Sequence, residues 1–86
     1  MNSEAGAGTQ WMLATYHDSD DSHHVDQPIM REQIELIRDL FDRGDDEWME
    51  AGCYPVGTEI WPQVSAILAY GPQAPGLSYF IEARAV

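Results

Sequence analysis

Between Pro28 and Arg43, apolar side chains recur at helical intervals inside the most acidic part of the chain. Met30, Ile34, Ile37 and Phe41 follow one another at steps of four, three and four, and Ile29, Leu36 and Leu40 widen the stripe. That period predicts an amphipathic α-helix over about 28–43. Asp26 can cap it, and Pro28 suits a first turn in which the missing N–H costs nothing. Gly44 then interrupts the pattern. Asp45, Asp46 and Glu47 suit a fresh helix start, and a short extension anchored by Trp48 and Met49 runs to 51. One bent helix through Gly44 is the alternative, at ~1 kcal/mol for glycine relative to alanine.

Residues 10–17 predict a short strand whose two faces, Trp11/Leu13/Thr15 and Met12/Ala14/Tyr16, are both partly apolar. Such a strand is central in a sheet or covered by a helix. Residues 18–27 hold one apolar side chain, Val25, and read as a loop. Residues 54–57 read as a turn. Residues 63–70 suit strand or helix, 71–76 carry a strong loop signal, and 77–86 read as a strand. Pairing 63–70 with 77–86 as an antiparallel hairpin gives the order β-α-β-β. The expected fold is α+β, one main helix on a small antiparallel sheet. The expected organisation is a flexible N-terminus over 1–8 and a single small acidic domain over 9–86.

Composition narrows the function classes. A chain of 86 residues with 44% hydrophobic content and nine aromatic residues holds a small core and is not disordered throughout. A single cysteine excludes an internal disulfide, no signal-peptide pattern opens the chain, and no run approaches the ~18 apolar residues of a membrane span. The expectation is a cytoplasmic protein that does not enter membranes.

Charge gives the strongest functional pointer. Twelve of the fifteen acidic residues lie between Asp18 and Glu50 against three arginines, so this window carries −9 of the formal −11. Negative charge of this density repels nucleic acid and attracts basic surfaces. On a helix, Glu32, Glu35, Asp39 and Asp42 form one row, its members about 5 Å apart and its length about 15 Å. Asp45, Asp46, Glu47 and Glu50 extend the field, and Trp48, Met49 and Trp61 are candidate apolar anchors. Carboxylate pairs with arginine in much the same fork geometry as phosphate does. The expected partner is therefore a basic nucleic-acid-binding protein or complex, with no direct binding to nucleic acid. A solvated helix face with ordinary Glu35–Arg38 and Asp39–Arg43 pairs accounts for the same residues without a partner.

Other chemistries have weaker support. His17, Asp20, His23 and His24 offer imidazole and carboxylate donors for a metal, but the spacing fits neither a helix-borne zinc motif nor a calcium loop. Cys53 has no spacing that brings His17, His23 or His24 to it as a base. No phosphate loop or other cofactor motif is present, and no cofactor and no enzymatic activity are expected. The leading expectation is a small acidic inhibitor that occludes a partner's nucleic-acid-binding surface. Phage inhibitors of nucleases or CRISPR complexes and nuclease immunity proteins use the same physics, an analogy of charge and size alone. The alternatives are a non-enzymatic adaptor binding through an aromatic C-terminal hairpin, and a metal-binding protein using the His/Asp loop.

Overall fold

Strand β1 (Thr9–His17) is the centre from which the rest is built. In the computed structural model, which describes residues 8–85, it is followed by β2 (His23–Ile29), α1 (Arg31–Ile37), a 3-10 turn at Arg38–Leu40, β3 (Cys53–Pro55), α2 (Trp61–Leu68) and β4 (Leu77–Ala85). The four strands form one antiparallel sheet in the order β2-β1-β4-β3. The architecture is α+β, as expected, with a four-stranded sheet and two helices.

Alternation divides the sheet into two faces. On one face lie Trp11 and Leu13 of β1, Ile29 of β2, and Tyr79 and Ile81 of β4. These meet Ile34 and Ile37 of α1 and Val64 and Leu68 of α2 in a single buried cluster with Met49, Val56 and Trp61. Met12, Ala14 and Tyr16 lie on the other face, with Asp26 and Pro28 of β2, Phe80, Glu82 and Arg84 of β4, and Cys53 and Pro55 of β3.

Several expectations change. Residues 23–29 are a strand, not loop and helix start; only 18–22 connect β1 to β2. Their polar side chains hid a strand that forms because β1 offers it a full ladder of partners. The predicted helix over 28–43 shrinks to Arg31–Ile37 plus the 3-10 turn. It starts at Met30, whose N–H donates to the Gln33 side chain (2.8 Å), so Asp26 is not its cap. It stops where Phe41 turns extended and packs edge-on against Tyr54 (6.0 Å between rings). The extension to 51 is a run of turns, not a helix. Residues 54–55 belong to β3, and 61–68 are helical, which removes the proposed hairpin. The signals for α2 were the Trp61, Val64, Leu68 spacing of three and four and Pro62 in the first turn. β4 is a strand as expected but pairs with β1 and β3. The flexible segment placed at 1–8 falls, save for Gly8, outside the described residues.

The apolar stripe of α1 also divides. Ile34 and Ile37 are fully buried, whereas Met30 (63%) and Leu36 (62%) are largely exposed. Ile37→Ala should therefore cost about 2–5 kcal/mol of stability, while Leu36→Ala should stay within about 0.5 kcal/mol. Urea unfolding followed by tryptophan fluorescence separates the two. Equal losses would contradict this orientation of the helix.

Candidate functional site

The acidic segment folds back on itself. After the 3-10 turn the chain runs from 41 to 52 without regular structure, held by side chains to the elements it passes. Arg43 donates through Nε to the Arg38 carbonyl (2.7 Å) and pairs with Asp39 (2.8 Å). Arg38 reaches the Glu47 carbonyl (3.3 Å) and lies 3.7 Å from the Glu47 carboxylate. The guanidiniums of Arg31 and Arg38 sit 4.4 and 4.1 Å from the Trp48 ring centre, within cation–π range. Trp11 Nε1 donates to the Trp48 carbonyl (2.8 Å), Met49 is buried in the core, and Thr9 donates to Glu50 (2.7 Å). Position 43 thus lies beside 38 and 39, and 47–48 beside 38 and 31. The connection runs back along α1.

This geometry replaces the expected single carboxylate row. Glu32 and Glu35 stand exposed on α1 and Asp39 on the 3-10 turn; Asp42, Asp45, Glu47 and Glu50 stand exposed on the returning connection. Asp46 turns inward instead. It accepts the Glu50 N–H (2.8 Å), the Ala51 N–H (2.9 Å) and the Tyr54 hydroxyl, closing the turn that carries its neighbours. Burial works against its charge, yet these donors hold its carboxyl below the usual range, and Asp46 in turn pushes Tyr54 up to about 12. The Asp39–Arg43 pair forms as expected. Arg38 engages Glu47 across the connection, where a pair with Glu35 was expected.

None of the three expected anchors is free. Trp61 and Met49 are buried, and Trp48 is half-buried beneath arginine. Leu36, three residues before Asp39 and four after Glu32, is exposed instead, as is Met30 at the helix start. The helical stripe had assigned both to the core.

The histidine-rich segment is divided by the strand pairing. A bulge where the β1–β2 register shifts past Thr15 and Val25 leaves His24 unpaired in the ladder. Its ring packs edge-on against His17 (4.8 Å). His23 contacts Asp26 (2.8 Å) instead, and Asp20 accepts from Ser22. Among the described residues no group of three or more His, Cys, Asp or Glu side chains is placed to hold a metal ion.

A second constellation, not expected from the sequence, lies on the helix-free face. Arg84 of β4 reaches across β1 to Asp26 of β2 (2.7 Å), passing the Met12 row, and also holds Glu82 (2.9 Å). The other Glu82 oxygen accepts from Tyr16 Oη (2.6 Å) and Cys53 Sγ (3.3 Å). The ring of Tyr16 stands edge-on to Phe80 (5.6 Å) and to His23 (5.5 Å). Desolvation opposes the charge on Glu82, but Tyr16, Arg84 and Cys53 hold its carboxyl below the usual range. The hydrogen bond to Glu82 pushes Tyr16 up to about 12, and burial with the same carboxylate pushes Cys53 up to about 11. At neutral pH Cys53 is a thiol, a poor nucleophile. The register of β1 with β4 would have revealed this cluster, but alternation alone does not supply a register.

Compared with known proteins, the chain matches no family model, no curated protein and no solved structure. No helix among the described residues is long and apolar enough to cross a membrane.

Two pH dependences follow. Tyr16 and Tyr54 have folded values above the ordinary ~10, so the stability they contribute is complete below pH ~10 and is lost as pH rises towards about 12. Asp26, Asp46 and Glu82 are lowered, so theirs is present above pH ~4 and is lost as pH falls through the folded values. Phenolate absorbance should show Tyr16 and Tyr54 ionising late, and Glu82→Gln should return Tyr16 towards ~10. An unchanged titration in that variant would show that Glu82 does not set the Tyr16 value.

Proposed function

We propose that this chain is a non-enzymatic binding protein of the nucleic-acid-mimic type, which occludes a basic nucleic-acid-binding surface of a partner protein. The observation that carries this reading is the doubled acidic edge. Seven exposed carboxylates, Glu32, Glu35, Asp39, Asp42, Asp45, Glu47 and Glu50, line α1, its 3-10 turn and the connection folded back along them. Three arginines, Arg31, Arg38 and Arg43, lie in that stretch against the seven; Arg38 and Arg43 divide their donors between backbone carbonyls and the carboxylates of Glu47 and Asp39, so acid remains in excess. A solvated surface needs no such excess, and mutual repulsion among these groups works against a small fold. A partner that grips phosphates with arginine and lysine would meet a matching array of carboxylates and release its nucleic acid. Nuclease and CRISPR complexes are the partner class this chemistry suits, and the acidic edge would steer association at low salt.

A second reading is favoured by the helix-free sheet face, where Tyr16 and Phe80 are only half-buried. There the chain would act as an adaptor whose contact is aromatic. The partner's response to salt separates the two.

The test is capture from the native cell extract after nuclease digestion, with stepwise salt elution. The captured protein is then purified and its binding to duplex DNA titrated with this chain. The mimic reading expects salt-eluted capture and loss of DNA binding at one equivalent. It also expects at least a roughly 100-fold weaker effect from Glu35→Gln/Asp39→Asn/Asp42→Asn, about 1 kcal/mol for each of three partly desolvated charge contacts. A partner held through high salt, indifferent to the triple variant, would transfer the binding site to the sheet face.

A further inference from the structure

The helix-free face carries a concavity of about 310 Å³ lined by Tyr16, Asp21, Cys53, Ser78, Phe80 and Glu82. We propose that it is a binding pocket for a guanidinium group, filled by an arginine side chain of a partner polypeptide. Three features of its lining point to that chemistry.

The first is the pair of aromatic rings. Tyr16 and Phe80 both line the pocket and stand edge to face (77°), so a flat cation entering it can stack on the face of one of them. Guanidinium stacks on such surfaces more readily than the strongly hydrated ammonium of lysine. The second is charge. Glu82 is anchored by Tyr16, Cys53 and Arg84, and these donors leave its Oε1 with a lone pair to spare. Its position is fixed before a ligand arrives, so little ordering remains to be done. Asp21 is exposed on the opposite rim with a left-handed backbone (φ 60°), and Asp18, bonded to Ser78, lies just beyond. The third is the neutral state of the remaining lining. Tyr16 and Cys53 keep their protons at neutral pH, so the pocket's own charges are the two carboxylates. The nearby cation, Arg84, is shared between Glu82 (2.9 Å) and Asp26 on the far strand (2.7 Å), so it offsets part of the Glu82 charge and leaves that of Asp21.

The proposal stands whether or not the acidic connection meets a nucleic-acid-binding surface. The pocket lies on the other face of the sheet from the helices and has its own contacts. If both readings hold, a basic partner has two places to grip, and the residues tested below leave the acidic edge intact.

The experiment is a chemical-shift titration of the isotope-labelled chain with N-acetyl-arginine amide, against N-acetyl-citrulline amide and N-acetyl-lysine amide. Citrulline has the shape of arginine without the charge. The expected result is a saturable, millimolar response at Tyr16, Ser78, Phe80 and Glu82 with arginine, a weaker one with lysine and none with citrulline. Asp21→Asn should weaken arginine binding about threefold, the worth of one partly exposed charge pair. Asparagine tolerates the left-handed backbone, so the variant keeps the fold. Phe80→Leu should reduce the preference for arginine over lysine. No localised shifts with arginine, equal shifts with citrulline, or unchanged affinity in Asp21→Asn would each overturn the proposal.

Discussion

A strand that is apolar on both faces must be covered twice, and β1 imposes that demand on the whole molecule. Two short helices cover one face, where Trp11 and Leu13 join the main core. Among the described residues no helix or strand covers the other, yet Met12 and Ala14 are buried there as well. Side chains supply the cover. Arg84, Asp26, Glu82 and Tyr16 interlock over the strand in a charged and hydrogen-bonded layer one side chain thick. A salt bridge on an open surface contributes little by itself. This one spans the Met12 row of the central strand, from Arg84 on β4 to Asp26 on β2. The same layer fixes Glu82 and forms one wall of the pocket.

The acidic segment solves a different problem. A dozen residues without regular structure must lie flat although their neighbours repel them. Burial of Met49, the Trp48 carbonyl bonded to Trp11, and two arginines against the Trp48 ring hold the segment in place. Asp46 is used structurally, accepting three donors at the turn. The remaining carboxylates then point outward because the inward positions are taken. Density of charge on this edge is thus a product of packing as much as of composition.

How much of this the sequence disclosed depended on whether a segment's own side chains or its neighbours decide its state. β1 and β4 were legible because their alternating and aromatic residues are what the sheet buries. The register of α1 was legible at Ile34 and Ile37, but its length was not, since Phe41 continues the stripe while packing on Tyr54 from an extended backbone. β2 carries hardly any apolar signal and is a strand because β1 pairs with it. Residues 61–68 are apolar enough for either state, and Pro62 was the cue that favoured a helix start. For the acidic edge, the sequence supplied the residues but placed the first four in one helical row; the structure divides them among α1, its 3-10 turn and the connection that follows. The sheet-face pocket needed a register between strands more than sixty positions apart, which local pattern does not encode.

The outer margin of β2 has a bearing on how the molecule behaves among its own copies. An unpaired strand edge is a template on which another chain can add its own strand. Here that margin is broken by the bulge at His24, carries Asp26 among exposed polar neighbours, and includes Pro28, a residue that central strands exclude. The opposite margin, β3, is three residues long. Neither margin offers a long, flat, uninterrupted ladder. The bulge, the charge and the proline of β2, the same features that hid it from view in the sequence, make its edge a poor template for a fifth strand.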